Sequence, residues 1–424
     1  MFSKTRLAII VVLILALVAC GGPTPPPVPT PSPKPAFHKV ADQNTAIPGG
    51  KANETFTGFL TDFSYGPSIS GGNVAFNAYG QSDRRGIYVS SGGRLKKIAD
   101  TDTLVPGKNV RFTYFDQAST SGDSVAFVAS YGKDQPSPLK PVKDTALFSD
   151  FGGKLHIVAN DSTPIPGGKG NFISFFGASN ANGDIAFTGF GEGGQRGKYV
   201  AHSNGKIDEV ASSNHPATML RTAARADDDV VFYAADPKGK KGIYALIGGK
   251  LQIIADTNTV IPGGKGAFTD FGVQEGIDKG HIAFIGFGKD DQAGIYYYAG
   301  GKLSVIADTH TPLVGGKGNF AHFSSLNGVS VSNDAVVFFG AGENQQGGIY
   351  MSRNKKLTPV IKNGDTLDGQ KIQVVQPTPA IPDWWNYIPP LTLHSEGLDG
   401  DMLAFHVQFP KSSGIYIAKI PGLS

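Results

Sequence analysis

The sequence predicts an all-β protein, a seven-bladed β-propeller whose ring is closed by an N-terminal strand. Three observations predict it. Two short apolar runs joined by a glycine turn recur along the chain, a Val-Ala-Phe type of run precedes each pair, and seven such copies follow one another. A period of about 40–50 residues with four strands in each unit is the signature of a propeller.

The repeated unit is clearest in residues 294–320. Residues 295–298 and 303–307 are short apolar runs, and the Gly300-Gly301 turn between them tolerates positive φ angles. Two such runs across a glycine turn predict a β-hairpin. Pro and Gly then punctuate a polar loop that leads into the next unit.

Three strands of the unit can be followed along the whole chain. The outer strand of the hairpin begins at Phe37, Leu95, Leu155, Ile207, Leu251, Leu303 and Leu357. The strand before it begins at Gly86, Ala146, Gly197, Gly242, Gly294, Gly348 and Gly414. The Val-Ala-Phe type of run begins at Val74, Val125, Ile185, Val230, Ile282, Val336 and Leu403. A weaker run before each of these completes four strands per blade.

The two ends of the chain carry complementary defects. Residues 37–42 match the outer strand but have no partner strand before them, and residues 414–419 lack an outer strand after them. The N-terminal run is therefore predicted to become the outer strand of the seventh blade, which removes two open edges. On this prediction, residues 37–424 form one propeller domain.

The first 36 residues are predicted to target and tether that domain. Lys4 and Arg6 precede an apolar run, residues 7–19, that is too short to span a membrane. The run ends in Leu17-Val-Ala-Cys20, which resembles a bacterial lipobox. The resemblance implies a signal peptide over residues 1–19 and a lipid on Cys20. Residues 20–36 then hold the lipidated cysteine and a proline-rich tether.

These features predict a lipid-anchored protein of the cell envelope, whose membrane partner is reached through the N-terminal lipid. The anchor lies in the outer membrane of a Gram-negative host, or on the exterior of the cell membrane of a Gram-positive one. The alternative is an ordinary signal peptide with a coincidental cysteine. A net charge of +3 gives no argument for a nucleic-acid partner.

The longest loops are predicted on one face of the ring. With strands A to D numbered from the centre, the A–B and C–D turns are short, whereas the B–C and D–A loops are long. The D–A loop over residues 377–390 contains Trp384, Trp385 and Tyr387 between prolines. Exposed, stiffened aromatics suit binding of a glycan or a protein partner. The alternative is that the tryptophans fold inward and plug the central channel.

A repeated aspartate also follows the outer strands, at Asp42, Asp100, Asp161, Asp256 and Asp308. With the following Thr it could offer oxygen ligands to Ca²⁺, but one carboxylate per loop is far too few for a dedicated calcium loop. We therefore interpret it as a turn in which the aspartate accepts backbone amides. No metal and no cofactor are predicted.

Catalytic signals are weak. The chain has no HExxH or GxSxG motif, and its single cysteine is the predicted lipid site. Carboxylate pairs are scattered at Asp227 and Asp229, Asp290 and Asp291, and Glu396 and Asp399. Three functions stay open: a binding module for a glycan or protein, an envelope hydrolase of glycans or esters with carboxylates at the central channel, and a scaffold without a small ligand.

The repeat, GIY…GGxLxxIADTxTxIPGGxGxF, is best seen in residues 251–264 and resembles a family of bacterial secreted repeat proteins. The resemblance covers residues 37–420 and implies a propeller fold and an envelope setting. It implies no activity and no site residue. Blade four departs most from the pattern.

Overall fold

A computed structural model describes residues 34–59, 66–134, 136–137, 140–213, 219–323, 327–343, 346–373 and 390–423. In these residues seven antiparallel sheets follow one another along the chain. Their innermost strands contact each other in sequence, and the seventh contacts the first. The predicted all-β, seven-bladed propeller is therefore confirmed.

The strands fall into four positions, A to D from the centre outward, in blades 1 to 7. Position A holds β3 (Ser68–Ser70), β7 (Tyr114–Ser121), β11 (Phe172–Ala181), β15 (Met219–Ala226), β20 (Gly276–Asp278), β24 (Ser330–Ser332) and β31 (Leu398–Asp399). Position B holds β4 (Asn73–Tyr79), β8 (Ser124–Ser130), β12 (Asp184–Gly191), β16 (Asp229–Ala235), β21 (His281–Phe287), β25 (Ala335–Ala341) and β32 (Met402–Gln408).

The two outer positions complete each blade. Position C holds β5 (Arg85–Ser91), β9 (Thr145–Ser149), β13 (Arg196–Ala201), β17 (Lys241–Ile247), β22 (Ala293–Ala299), β26 (Gly347–Arg353) and β33 (Ser413–Lys419). Position D holds β6 (Arg94–Asp100), β10 (His156–Ala159), β14 (Ile207–Ser213), β18 (Lys250–Asp256), β23 (Lys302–Asp308), β27 (Lys356–Lys362) and β1 (Ala36–Asp42). Short extra pieces are β2 (Gly58–Phe59), β19 (Asp270–Phe271), β28 (Thr366–Leu367), β29 (Gln370–Lys371), β30 (Leu391–Thr392) and a 3₁₀ turn (Glu192–Gly194).

The ring closes as the sequence predicts. Strand β1 pairs antiparallel with β33, from Ala36 opposite Lys419 to Asp42 opposite Gly414. The outer strand of blade 7 thus comes from the N-terminal side of the domain, and its other strands come from the C-terminal end. This pairing joins both ends of the domain in one sheet.

The core lies between the blades, and the repeated aromatic residues build it. In blade 5, Phe268 meets Tyr296 edge-on, with ring centroids 4.8 Å apart, and Phe284 stacks on Tyr296 at 5.9 Å. Gly294 lets strand D and the Tyr296 ring lie close together, because a Cβ there would lie 2.8 Å from the carbonyl oxygen of Ala307 and 3.1 Å from the Tyr296 hydroxyl. The same trio recurs in blades 1, 2, 3 and 6. Each aromatic pair contributes about 0.5–1.5 kcal/mol beyond its buried area.

The two faces of the ring differ. The A–B and C–D connections are tight turns on one face, which we call the closed face, and the B–C and D–A loops lie on the other, the loop face. Nothing helical among the residues described has the length and apolar character that a membrane crossing requires.

Candidate functional site

The residues favoured from the sequence lie outside the described residues. Trp384, Trp385, Tyr387 and the lipid site Cys20 all fall there. Their roles stay predictions. Among the described residues, the candidate sites lie around the channel and in the loops of blade 1.

The repeated aspartates form turns. Asp308 Oδ1 accepts the amide of His310 at 3.0 Å and the hydroxyl of Thr311 at 2.8 Å. The same contacts occur at the equivalent aspartates of three other blades. In blade 3 the sequence-based alignment was wrong by one residue, because Asn160 rather than Asp161 makes them. In the described part of the chain, no group of three or more His, Cys, Asp or Glu side chains could hold a metal ion.

A carboxylate sits where the innermost strands of four blades converge. Glu396, just before β31, accepts hydrogen bonds at Oε2 from Ser68 at 3.1 Å and from Ser119 at 2.6 Å. Its Oε1 accepts a further bond from Ser179. These serines belong to β3, β7 and β11, in blades 1, 2 and 3. We call the four residues the central carboxylate cluster.

The three serines occupy equivalent positions, each opposite an alanine of strand B. They also link neighbouring blades through their oxygen atoms. Ser68 Oγ accepts the amide of Thr120 at 3.1 Å, and Ser119 Oγ accepts the amide of Asn180 at 2.7 Å. Each of these two hydroxyls therefore donates to Glu396 and accepts from the next blade.

The cluster is largely withdrawn from water. The side chain of Glu396 is 13% exposed, and burial raises its pKa to about 7 although the serine hydroxyls act in the opposite direction. His394 is 1% exposed, and its Nδ1 accepts the amide of Glu396 at 3.1 Å. An imidazole that accepts at Nδ1 carries its proton on Nε2 and is neutral. Burial lowers the pKa of His394 to about 3, which agrees with that state.

This arrangement does not resemble a nucleophile with its base. A serine nucleophile needs an oxygen that can approach a substrate, whereas Ser68 and Ser119 each donate one hydrogen bond and accept another within the ring. Asp399, paired with Glu396 in the sequence, instead accepts the amide of Gly71 at 2.6 Å in the closed-face turns. The cluster therefore holds blades 7, 1, 2 and 3 together.

A second buried charge stands in blade 3. Lys198 replaces the isoleucine of the repeated Gly-Ile-Tyr, is 1% exposed, and donates to Thr188 Oγ1 at 2.6 Å. Burial lowers its pKa to about 7, and the charge of Glu275 acts against that shift. Glu275 is also 1% exposed and precedes β20 of blade 5. This pair was not predicted, although a lysine in place of a repeated isoleucine was a visible signal in the sequence.

On the loop face, a glutamine supports the D–A loop in three blades. Its side-chain oxygen accepts the amide of the loop lysine, in the pairs Gln195–Lys169 at 3.5 Å, Gln292–Lys265 at 3.3 Å and Gln346–Lys317 at 2.8 Å. The glutamine packs against the second glycine of the Gly-Gly-Lys sequence, where a Cβ would collide with it. In these blades the space beneath the loop is therefore occupied by a neutral side chain.

Blade 1 departs from this pattern. Its loop, residues 48–56, is two residues longer than residues 262–268 of blade 5, and Arg84 stands where the glutamine stands elsewhere. Glu54, within the longer loop, accepts the amide of Lys51 at 2.9 Å in place of the glutamine. A cavity of about 270 Å³ opens here, lined by residues 51–54, 81, 82, 84, 101 and 102. We call it the blade-1 pocket.

An ion network forms one wall of this pocket. Arg84 donates through Nε to Glu54 at 2.9 Å, through Nη1 to Asp100 at 2.6 Å and through Nη2 to Asp102 at 2.7 Å. Lys97 reaches Asp100 at 3.1 Å. Burial opposes the charge on Asp100, but hydrogen bonds from Thr103, Lys97 and Arg84 outweigh it and lower the pKa of this carboxyl. Burial also acts against the charge on Arg84, but its hydrogen bonds to Asp100 and Glu54 raise its pKa, so the Arg84–Asp100 pair stays ionised at neutral pH.

Most of the chain matches the sequence model of one family. The model described as "Family of unknown function (DUF7453)" matches residues 34–216 and 225–376. The chain belongs to this family. The interval between the two matched segments falls mostly within β15 of blade 4, where the repeat is weakest. A search of curated proteins finds no match.

Solved structures similar to this family member are propellers. The β-propeller domain of the Trilobed protease from Pyrococcus furiosus has a TM-score of 0.52 and 10% identity, over 87% of this chain and 98% of that one. A prolyl endopeptidase has a TM-score of 0.48 and 12% identity, over 85% of this chain and 50% of that one. TolB from Acinetobacter baumannii has a TM-score of 0.37 and 13% identity, over 64% of this chain and 57% of that one. This chain spans about half the length of the prolyl endopeptidase. At 10% identity, the likeness to the propeller domain of the Trilobed protease establishes the fold alone.

Proposed function

We propose that this protein is a lipid-anchored binding module of the cell envelope, which captures a glycan or an envelope protein through its loop face. The blade-1 pocket carries the proposal. At this blade an arginine with three carboxylate partners stands in place of the neutral glutamine of blades 3, 5 and 6, and polar side chains surround a cavity. Function on a repetitive scaffold is usually found where its loops vary.

The central carboxylate cluster argues against the alternative of a hydrolase. Three serines from three blades donate to Glu396, and two of them also accept backbone amides. A glycosidase needs two carboxyl groups about 5–10 Å apart on either side of a substrate. The hydrogen bonds of Glu396 are instead directed at the ring itself.

The predicted lipid is compatible with a binding surface on the loop face. Ala36, the first residue of β1, lies opposite Lys419 at the closed-face end of blade 7. The chain therefore enters the propeller at its closed face, on the side opposite the proposed binding loops. Trp384, Trp385 and Tyr387 precede β30 and would extend the binding surface.

Tryptophan emission of the full chain tests the proposal, because both tryptophans lie in one loop. We expect a saturable change of emission with one member of a panel of envelope polysaccharides and proteins, without release of reducing ends. Absence of any saturable ligand would favour the scaffold. Cleavage of a polysaccharide that is lost in Glu396→Gln would establish the hydrolase instead.

A further inference from the structure

One wall of the blade-1 pocket is rigid. Arg84 is 8% exposed and holds the Oδ2 of Asp102, and Arg111 donates to the backbone carbonyl of Asp102. The carboxylate of Asp102 is nevertheless 61% exposed, and its Oδ1 has no protein partner among the described residues. A preorganised acceptor loses little conformational freedom when a ligand binds to it.

The other side of the pocket offers polar groups that are not yet used. The side chains of Lys51, Asn53, Gln81 and Ser82 are exposed, and within the described part of the chain they make no hydrogen bonds. Two amides, a hydroxyl and an ammonium group thus line the same cavity as the carboxylate of Asp102. Ala52 is the single apolar residue of the lining. Such a pocket selects its ligand through hydrogen bonds rather than through apolar contact.

The charge balance of the lining favours a neutral ligand over an ionic one. Arg84 uses Nε and both terminal nitrogens within the network, so it has no free edge for a phosphate or a carboxylate. Glu54 and Asp102 repel an anion, and Lys51 at the rim repels a cation. A neutral ligand with closely spaced hydroxyl groups meets none of these penalties.

We infer that the blade-1 pocket binds one neutral sugar residue through its hydroxyl groups. A hydroxyl of the sugar donates to Asp102, and neighbouring hydroxyls accept from the amides of Asn53 and Gln81. The inference rests on the proposed function, because the sugar is a unit of the glycan that the loop face captures. It adds the class of ligand and the residues that select it.

Titration calorimetry on the full chain tests this assignment, with glucose, galactose, N-acetylglucosamine and glucuronate as probes. We expect at least one neutral sugar to bind, and glucuronate to bind at least tenfold more weakly than glucose. Asp102→Asn keeps the shape of the side chain and should weaken the neutral sugar at least tenfold. His310→Asn is the matched control, because His310 occupies the same turn position in another blade, and its effect should stay below twofold.

Gln81→Ala protects the test against a folding defect, because the Gln81 side chain is exposed and makes no hydrogen bond among the described residues. It should weaken the sugar several-fold while the circular dichroism spectrum is unchanged. Equal affinities of wild type, Asp102→Asn and Gln81→Ala overturn the assignment, as does a preference for glucuronate. If the polysaccharide panel binds but these variants change nothing, the proposed function stands and the pocket is wrong. If no probe and no panel member binds, both fall.

Discussion

The central carboxylate cluster and the blade-1 pocket use similar chemistry for different ends. In both, a carboxylate oxygen accepts hydrogen bonds from other side chains. In the channel, Glu396 is 13% exposed and both of its oxygens are bonded to serines of other blades. In the pocket, Asp102 is 61% exposed and gives one oxygen to Arg84.

The two sites differ in how much of the carboxylate a ligand can reach. When every acceptor is used inside the ring, a buried carboxylate stabilises the assembly and has nothing left for a ligand. When part of a rigid carboxylate faces solvent, its free oxygen can select a ligand. Variants at both places, and at the repeated turns, distinguish these two uses.

Loss of the channel carboxylate should destabilise the ring most. Glu396→Ala leaves three buried hydroxyls without their acceptor, and each costs about 1–3 kcal/mol. We expect the free energy of unfolding in urea, followed by circular dichroism, to fall by about 3 kcal/mol or more. Asp399→Ala, in a partly exposed turn of the same blade, should cost about 1 kcal/mol. Equal effects of the two would contradict a special role for the cluster.

The stability of the cluster should depend on pH. The pKa of Glu396 is raised from 4.5 to about 7, so between these values the native state keeps a proton that the unfolded chain releases. Stability from this group is therefore greatest below pH 4.5 and is lost as pH rises to 7, by up to about 3 kcal/mol. The difference in unfolding free energy between wild type and Glu396→Gln isolates this contribution. If the stability of the wild type relative to Glu396→Gln increased as pH rises, the raised pKa of Glu396 would be refuted.

The ion network of the pocket should show strong pairwise coupling. Arg84 and Glu54 are 8% and 6% exposed, and removal of Arg84 leaves the buried carboxylate of Glu54 without its cationic partner. A double-mutant cycle with Arg84→Gln and Glu54→Gln should give a coupling energy of about 2 kcal/mol. Arg84→Gln restores the residue of blades 3, 5 and 6, and it should also weaken sugar binding. A coupling near zero would mean that Glu54 does not help to hold Arg84 in place.

Variants in the repeated turns should change the free energy of unfolding least, and the turns should not bind calcium. Asp308→Ala removes the acceptor of the His310 amide and the Thr311 hydroxyl, and it should cost about 1 kcal/mol. His310→Ala, at a 77% exposed position of the same turn, should stay within about 0.5 kcal/mol. Calcium and a chelator should leave the melting temperature of the wild type unchanged. A rise of several degrees in the melting temperature with calcium would instead indicate that these loops bind the ion.

The fold could be predicted because the repeat encodes it locally and redundantly. The hairpin turns, the aromatic trio and the glycine beside it recur in most blades, so errors in one copy are corrected by the others. Ring closure followed from the unpaired runs at the two ends, and β1 and β33 form the predicted pair. An alignment error of one residue, as at Asp161, did not disturb this outcome.

The candidate sites could be predicted much less well, because they depend on how the copies differ. Glu396 was noticed only as one of several scattered carboxylates, and its contacts with Ser68, Ser119 and Ser179 span 217 to 328 residues of sequence. Arg84 became informative once it was aligned with Gln195 and Gln292. Comparison of equivalent positions between copies would have singled out both residues before the structure was known.

Hydrogen exchange on the full chain, with and without a glycan that binds it, tests most directly whether the ligand binds at the loop face. We expect slower exchange at the amides of residues 51–54 and 81–84 on the loop face, and unchanged exchange at residues 396–398. Slower exchange at residues 68–70 and 396–398 with an unaffected loop face would place the ligand in the channel and contradict the assignment of the blade-1 pocket.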